Sequence, residues 1–387
     1  MKQISKNKLL LKVQTKFKSL YGMPSNQISF VPGRVNIIGE HTDYNNGFAL
    51  PTAIDKWIII VSKKTEEQKF NLYSLNYGEQ ITICNKYSNK FNKIWKKIYS
   101  TAINTFIKKY KINLGANMIV GGNIPIGCGL SSSSAFVISI IDTMCKLFSI
   151  KIESLELAQL CQKIEKKAVG TAGGFLDQYG IILSKKNKFM LIDFLYDSIE
   201  YLPAIIKKFS WIIINSNKPR ELSNSNYLNR VKECRKGENI LKEQYNISSF
   251  RDIKKNMLEK IKIDNITIYN RMSHVLDENE RVLKMKEYLV RGNAIKIGKI
   301  LKESHESLKI KYQASCEEVD FIIDKSKQID GWLGGRIMGG GFGGCSIHII
   351  ESLRQTTYIN TIKREYKKKY SIMPEVIKIS FPGGLKN

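Results

Sequence analysis

The stretch Gly33-Arg34-Val35-Asn36-Ile37-Ile38-Gly39-Glu40-His41-Thr42-Asp43-Tyr44-Asn45 decides the reading of this chain. Around its two glycines it gathers an arginine, a glutamate, a histidine, an aspartate and two asparagines. A guanidinium neutralises phosphate with a rigid fork of donors. Carboxylates and carboxamides hydrogen-bond neighbouring hydroxyls. Together these side chains suggest a small polyol meeting a phosphoryl donor. Glu40, His41 and Asp43 could also be drawn as metal ligands, since imidazole and carboxylate both bind transition metals. No further histidine lies nearby in the sequence, so hydroxyl recognition is the preferred reading.

Downstream comes Pro125-Ile126-Gly127-Cys128-Gly129-Leu130-Ser131-Ser132-Ser133-Ser134-Ala135. Gly127 and Gly129 allow the backbone to approach a bulky anion. The serine run then opens a helix, whose free N–H groups and positive dipole end favour phosphate. The alternative is a capped helix after a loose turn, because serine caps helices. No Gly-Lys-Ser/Thr follows, so this is not a Walker A loop. Gly298-Lys299 is followed by Ile300 in a helical stretch and is set aside.

A third glycine cluster, Gly334-Gly335-Arg336-Ile337-Met338-Gly339-Gly340-Gly341-Phe342-Gly343-Gly344, contains G-x-G-x-x-G. It feeds a strand near the carboxyl end rather than opening a helix after an early strand. A dinucleotide fingerprint needs the latter. A loop folding over phosphates or substrate is the expectation, with a tight turn in a crowded core as the plain alternative. Gly173-Gly174-Phe175-Leu176-Asp177-Gln178 supplies a carboxylate just past two glycines. Arg34 and Asp177 could meet across a site, although an aspartate at a helix start is commonly a cap. Glu165, on the helix after the serine-opened one, could complete a Mg²⁺ shell with a serine hydroxyl. By spacing alone it also reads as a solvated helix residue.

The 387 residues suit two packed domains. A 43% hydrophobic content supports a globular core. No apolar run is long enough to cross a bilayer, and the amino-terminal Leu9-Leu10-Leu11 is too short for a signal core. Leu10, Val13, Phe17 and Leu20 recur at helical spacing and predict a surface helix. A cytoplasmic protein is the expectation. The formal net charge of +27 raises nucleic-acid binding, but the lysines are dispersed without an aromatic-interleaved stripe. No nucleic-acid or membrane partner is expected; a general attraction for anionic substrates is what remains. Seven irregularly spaced cysteines argue against a disulfide framework or structural zinc. Strand patterns at 28–31, 57–62, 70–74, 80–84, 117–120, 189–194 and 211–215 mix with helical ones at 92–110, 131–148 and 155–169. Long helical patterns follow at 224–245, 267–291, 294–312 and 316–326. They precede a strand at 345–350, a helix at 356–370 and a strand at 376–379. The fold class expected is α+β, with one domain over residues 1–208 and a second over 209–387.

The three segments together resemble the galactokinases, within the superfamily that also holds homoserine and mevalonate kinases. Gly33 through Asn45 matches G-R-x-N-L-I-G-E-H-T-D-Y-N apart from Ile37, Gly127 through Ser133 matches G-x-G-L-S-S-S, and Gly339 through Cys345 matches the third motif. R-M-S-H-V-L-D-E-N-E-R-V from Arg271 and E-S-H-E-S-L from Glu303 add to the likeness. The resemblance implies a first domain like ribosomal protein S5 domain 2, a ferredoxin-like second domain, and a site between them. It implies phosphoryl transfer from ATP to the C1 hydroxyl of galactose, with Mg²⁺, by a monomer. By residue match, Arg34 and Asp177 would be the catalytic pair. Glu40, His41, Asp43, Gly174, Asp177 and Tyr227 would bind the sugar. Gly127, Cys128, Gly129, Leu130, Ser131, Ser132, Ser133 and Ser134 would bind ATP, and Ser133 and Glu165 would serve Mg²⁺. A sister kinase for N-acetylgalactosamine and a non-catalytic galactose sensor are the rival readings. The chain departs from the family pattern at Ser134, where alanine is usual, and at Met338, where threonine is usual. Its final Phe381-Pro382-Gly383-Gly384-Leu385 also lacks the usual acidic residue before glycine.

Overall fold

A computed structural model describes residues 4–84, 91–125, 127–170, 174–217 and 223–385. Ile126 and Gly173, quoted above, lie outside the described residues. The first half runs α1 (Lys6–Tyr21), β1 (Gln27–Asn36), β2 (Phe48–Ala49), β3 (Pro51–Thr65), β4 (Lys69–Ser74), β5 (Glu79–Cys84), α2 (Ile94–Tyr110) and β6 (Gly115–Gly122). It continues with α3 (Ser132–Phe148), α4 (Ser154–Val169), α5 (Leu176–Ile182), β7 (Lys188–Asp193) and β8 (Ser198–Pro203). The second half holds β9 (Phe209–Asn215), α6 (Ser223–Gln244), α7 (Leu258–Asp264), α8 (Ile266–Val290), α9 (Ala294–Ile310) and α10 (Glu317–Ser326). It ends with β10 (Trp332–Ile337), β11 (Cys345–Glu351), α11 (Gln355–Tyr370) and β12 (Glu375–Lys378).

The apolar run Trp57-Ile58-Ile59-Ile60-Val61 lies in β3, inside a five-stranded sheet ordered β1-β3-β6-β4-β5. Both faces of that strand are covered, which is why it reads as continuous rather than alternating. Ile59 and Val61 meet α1 through Leu9, Val13 and Phe17. Ile54 and Ile60 belong to the main core with α2, α3 and α4. The expected surface helix is therefore present, but its buried stripe is Leu9, Val13 and Phe17 at strict four-residue steps; Leu20 stays exposed. A three-stranded sheet, β2-β7-β8, flanks the first.

The strand expected at 211–215 is β9, next to β11 in an antiparallel sheet ordered β10-β11-β9-β12. Ile212 and Ile214 pack with Tyr358 and Tyr366 of α11, while Trp211 and Ile213 join the main core. That core is continuous across both halves of the chain. The carboxyl-terminal segment returns to the first half, where the Gly384 amide donates to Ser184 O and the Leu385 amide to Ile181 O.

One expectation fails in the third glycine cluster. Gly334 and Gly335 are strand residues of β10, not loop. A Cβ at Gly334 would lie 2.0 Å from Gly298 O, and one at Gly298 would lie 2.5 Å from Leu333 O. The two glycines let α9 press directly onto β10, which gives Gly298 a packing reason in place of a phosphate role. None of the seven cysteines forms a disulfide. No helix among the described residues is long and apolar enough to cross a membrane.

Candidate active site

A cavity of about 340 Å³ opens where the end of β1, the start of α3, the start of α5 and the loop after β10 converge. Arg34 sits near the end of β1. A Cβ at Gly33 would come within 3.1 Å of Leu130 O, and the Arg34 amide donates to that same carbonyl at 3.3 Å. Lack of a side chain at Gly33 is thus what lets β1 press against the phosphate loop. From there the buried Arg34 guanidinium donates to Gly129 O at 2.5 Å through Nη1. Its Nε and Nη2 both donate to Asp177 Oδ1, Nε at 2.9 Å. The two residues are 143 positions apart in sequence. The N-cap of α5 is Phe175, and Asp177 lies inside the first turn with its Oδ1 on Arg34, so it is not the capping residue.

Ser131, at the start of α3, is left-handed at φ +54° and makes no cap bond. Its buried hydroxyl has no hydrogen-bond partner among the described residues. A helix start leaves four amides unbonded, and here the cap serine does not take one. Gly127, Gly129, Leu130, Ser131, Ser132 and Ser133 line the cavity. Cys128 and Ser134, also expected at ATP, do not. The Cys128 side chain packs into the core, and Ser134 is wholly buried with its hydroxyl turned toward two carboxylates.

Glu165 is not a solvated helix residue. It is buried in α4, where Ser133 Oγ donates to Oε1 at 2.6 Å. Ser134 Oγ and Gln178 Nε2 each donate to Oε2 at 2.8 Å. Burial, then the charge of Asp177, push its carboxyl upward against these bonds.

The opposite wall carries Glu40, His41 and Asp43. Gly39 makes the turn at φ +96°, and a Cβ there would strike Phe48 O at 2.4 Å. Glu40 is buried and accepts from Asn36 Nδ2 at 2.8 Å and from the Gly339 amide at 2.9 Å. Its other contact is Arg336 Nη2 at 2.5 Å. Arg336 is fully buried and also donates to Ile37 O and Asn36 O. Burial pushes the Glu40 carboxyl up to about 7 while Arg336 and Gly339 pull it down. Asp43 accepts from the Gly174 amide at 2.9 Å. A Cβ at Gly174 would lie 2.6 Å from Asp43 Oδ2, so the glycine is a condition of that contact. Burial, then the charge of Asp177, push Asp43 up to about 6. Tyr227, on α6, completes this wall with its ring 5.4 Å from that of His41. Every expected site residue except Cys128 and Ser134 therefore faces one cavity. Among the described residues, no cluster of three His, Cys, Asp or Glu side chains could hold a metal ion on its own.

Sequence reasoning missed the supports. Glu278 accepts from the Gly39 amide at 3.1 Å and from Ser304 Oγ at 2.7 Å. Asn279 Oδ1 accepts from the Phe48 amide. These residues lie in the two stretches beginning at Arg271 and Glu303, so a signal existed without a role attached. Arg336 stood inside the glycine cluster and was read only as loop. Met338 is wholly buried in the core, and the threonine-to-methionine difference falls there.

A kinase that phosphorylates a small hydroxylated substrate is the class that this fold and cavity define. Residues 92–185 match the N-terminal domain of the GHMP kinases, residues 285–371 their C-terminal region, and residues 15–64 the galactokinase galactose-binding signature. The galactokinase of Thermosipho africanus is 35% identical over 92% of this chain and 97% of its own length. That of Thermotoga maritima is 36% identical over 88% and 94%. The crystal structure of Lactococcus lactis galactokinase complexed with galactose superposes with a TM-score of 0.90 at 28% identity, covering 97% of this chain and 98% of that one. Methanococcus jannaschii mevalonate kinase shares the fold at a TM-score of 0.67 and 20% identity. The chain belongs to the galactokinase family, and its activity is that of an ATP-dependent galactokinase.

Proposed function

We propose that this chain moves the γ-phosphoryl group of ATP onto the C1 hydroxyl of galactose, with Arg34 and Asp177 as the catalytic pair. The carrying observation is that Asp177 Oδ1 is clamped by Arg34, which simultaneously holds Gly129 O of the phosphate loop. One guanidinium thus ties the carboxylate to the loop that would cradle the nucleotide. Among the described residues, Oδ2 meets only Ser134 Oγ within hydrogen-bond distance, at 3.3 Å, and is available to a hydroxyl.

Phosphoryl transfer proceeds through a loose transition state, so positioning and charge stabilisation dominate. In this reading Asp177 Oδ2 aligns the C1 hydroxyl and takes its proton as the new O–P bond forms. The bond from the γ-phosphorus to the bridging oxygen breaks, and ADP leaves. Arg34 stabilises charge growing on the transferring group. Glu40, His41, Asp43, Gly174 and Tyr227 hold the remaining hydroxyls, and the loop from Gly127 to Ser133 holds the phosphates. A Mg²⁺ ion fits the donor set, a hydroxyl and a carboxylate to which no cationic side chain among the described residues is bonded, since Mg²⁺ takes few protein oxygens and keeps its waters. Ser133 and Glu165 would hold it, and when bound it draws charge from the β- and γ-phosphates. The interval between β8 and β9, near residue 208, is where we would divide the domains.

The test is coupled ADP release with galactose and N-acetylgalactosamine side by side, with and without Mg²⁺. The expected result is Mg²⁺-dependent turnover with a clear kcat/KM preference for galactose. ADP release indifferent to either sugar would overturn the assignment.

A further inference from the structure

Behind the sugar wall runs a chain of polar groups that the proposed chemistry leaves unused. His41 lies at φ +63°, a region that costs a non-glycine residue about 1–2 kcal/mol, so its ring orientation is imposed by its surroundings. The ring packs between Tyr227, at 5.4 Å, and Tyr312, at 4.4 Å between centroids. Its Nδ1 is 2.7 Å from Tyr44 Oη. Tyr44 Oη is 2.8 Å from Tyr312 Oη, which is 3.3 Å from Cys234 Sγ. Tyr312 and Cys234 are completely buried. At the other side of the ring, Nε2 is buried and makes no hydrogen bond among the described residues, with the Gly340 backbone close to the imidazole, and His41 lines the cavity.

Protons in this run can be counted. Burial pushes His41 well below its ordinary value and both phenols well above theirs. Near neutral pH the imidazole is uncharged and each tyrosine keeps its proton. An uncharged imidazole has one N–H and one bare nitrogen. Two orderings are then open. Tyr312 can donate to Tyr44, and Tyr44 to His41 Nδ1, which leaves the imidazole proton on Nε2. Alternatively His41 Nδ1–H donates to Tyr44, and the run ends with a phenol spent on the Cys234 sulfur. Sulfur is a weak acceptor, whereas a bare imidazole nitrogen is a strong one. The first ordering spends both phenol protons on good acceptors.

We propose that Tyr44 and Tyr312 are positioning residues that fix His41 as its Nε2–H tautomer, a hydrogen-bond donor aimed at a sugar hydroxyl oxygen. This rests on the sugar-binding role given to His41 above. It also complements the wall, because Glu40 and Asp43 are acceptors when ionised and supply no donor.

The tautomer is readable in the unliganded protein by long-range ¹H–¹⁵N NMR, since the chain has only 4 histidines and His41→Gln identifies the signal. The expected wild-type pattern is a protonated Nε2 and a bare Nδ1. In Tyr44→Phe the pattern should move toward Nδ1–H, and the galactose KM should rise about tenfold with kcat within about twofold, the cost of one misplaced hydrogen bond. A wild-type Nδ1–H tautomer overturns the proposal, as does an unchanged tautomer in Tyr44→Phe. If that variant does not fold, the wild-type spectrum and Tyr312→Phe decide by the same criterion. The sugar reading fails separately: a normal galactose KM in His41→Gln, beside a wild-type Nε2–H pattern, would remove it and leave the relay standing.

Discussion

Asp177→Asn separates the proton-accepting role of this carboxylate from its role as a partner for Arg34. Asparagine keeps one oxygen to receive Arg34 Nε, now at 2.9 Å from Oδ1. In place of Oδ2 it presents an NH₂ group, which cannot accept a proton from a sugar hydroxyl. Losing a positioned general base costs about 10²- to 10⁴-fold in rate, or about 3–5 kcal/mol of barrier. The stability cost is smaller. The Arg34 side chain is 7% exposed and that of Asp177 34%, so the pair lies between the exposed and buried limits, and we take about 1–2 kcal/mol. Arg34 also keeps its bond to Gly129 O. The sugar cradle of Glu40, His41 and Asp43 is untouched, so KM for galactose should move by less than about fivefold, the signature of an interaction made chiefly in the transition state. ADP-coupled turnover gives kcat, calorimetry gives galactose affinity, and a thermal melt checks the fold. A folded variant turning over within a few-fold of wild type would show that Asp177 takes no proton, and the mechanism above would have to be abandoned.

The pH dependence of sugar binding should carry the mark of Asp43. Its folded pKa of about 6 lies above the ordinary 3.8, so protonation below about pH 6 should remove an acceptor and raise the galactose KM. That limb should shrink in Asp43→Asn, leaving the part contributed by Glu40, itself raised to about 7, and the Asp43 part should shift to lower pH in Asp177→Asn. The sign for stability is opposite: a raised carboxyl supports the fold fully below its unfolded value and loses that support as pH climbs through about 6. Asp43→Asn should therefore gain on wild type in urea above pH 6; a wild-type urea profile in the variant would contradict it. Ser134→Ala restores the residue usual in the family but strips a hydroxyl from Glu165 Oε2, which keeps Gln178 Nε2 at 2.8 Å. A loss of about 1 kcal/mol, seen as a lower urea midpoint at constant slope, is expected, and no change would mean that the serine is not engaged.

What could be read from the sequence was local, and what could not was distant. Gly33 through Asn45 and Gly127 through Ser134 each carry their chemistry within about a dozen consecutive residues, so type and spacing sufficed to suggest hydroxyls and phosphate. Glu165 was ambiguous because its meaning depends on whether α4 turns that face inward; α4 is seated on the core by Leu157, Leu160 and Ile164, and Ser133, Ser134 and Gln178 meet the carboxylate there. Short elements escaped for lack of periods to count: β2 has 2 residues and α5 has 7. β10 escaped because its glycines answer to α9, an element more than thirty positions earlier in the chain.

The Arg336–Glu40 pair shows the same limit in energetic form. Two charged side chains with almost no exposure, at 0% and 3%, are tolerated only when every donor and acceptor finds a partner. Here the partners are Ile37 O, Asn36 O, Asn36 Nδ2 and the Gly339 amide, spanning some 300 positions. No spacing rule reaches that far. Yet the pairing explains why the motif at Glu40 and the glycines at 339–341 both belong to one function. The carboxylate expected to meet the sugar is also the group that fastens the glycine loop to the wall opposite the phosphate loop. A change in Glu40 would thus loosen the second half of the chain from the first while it weakened sugar binding, and the two effects share a cause.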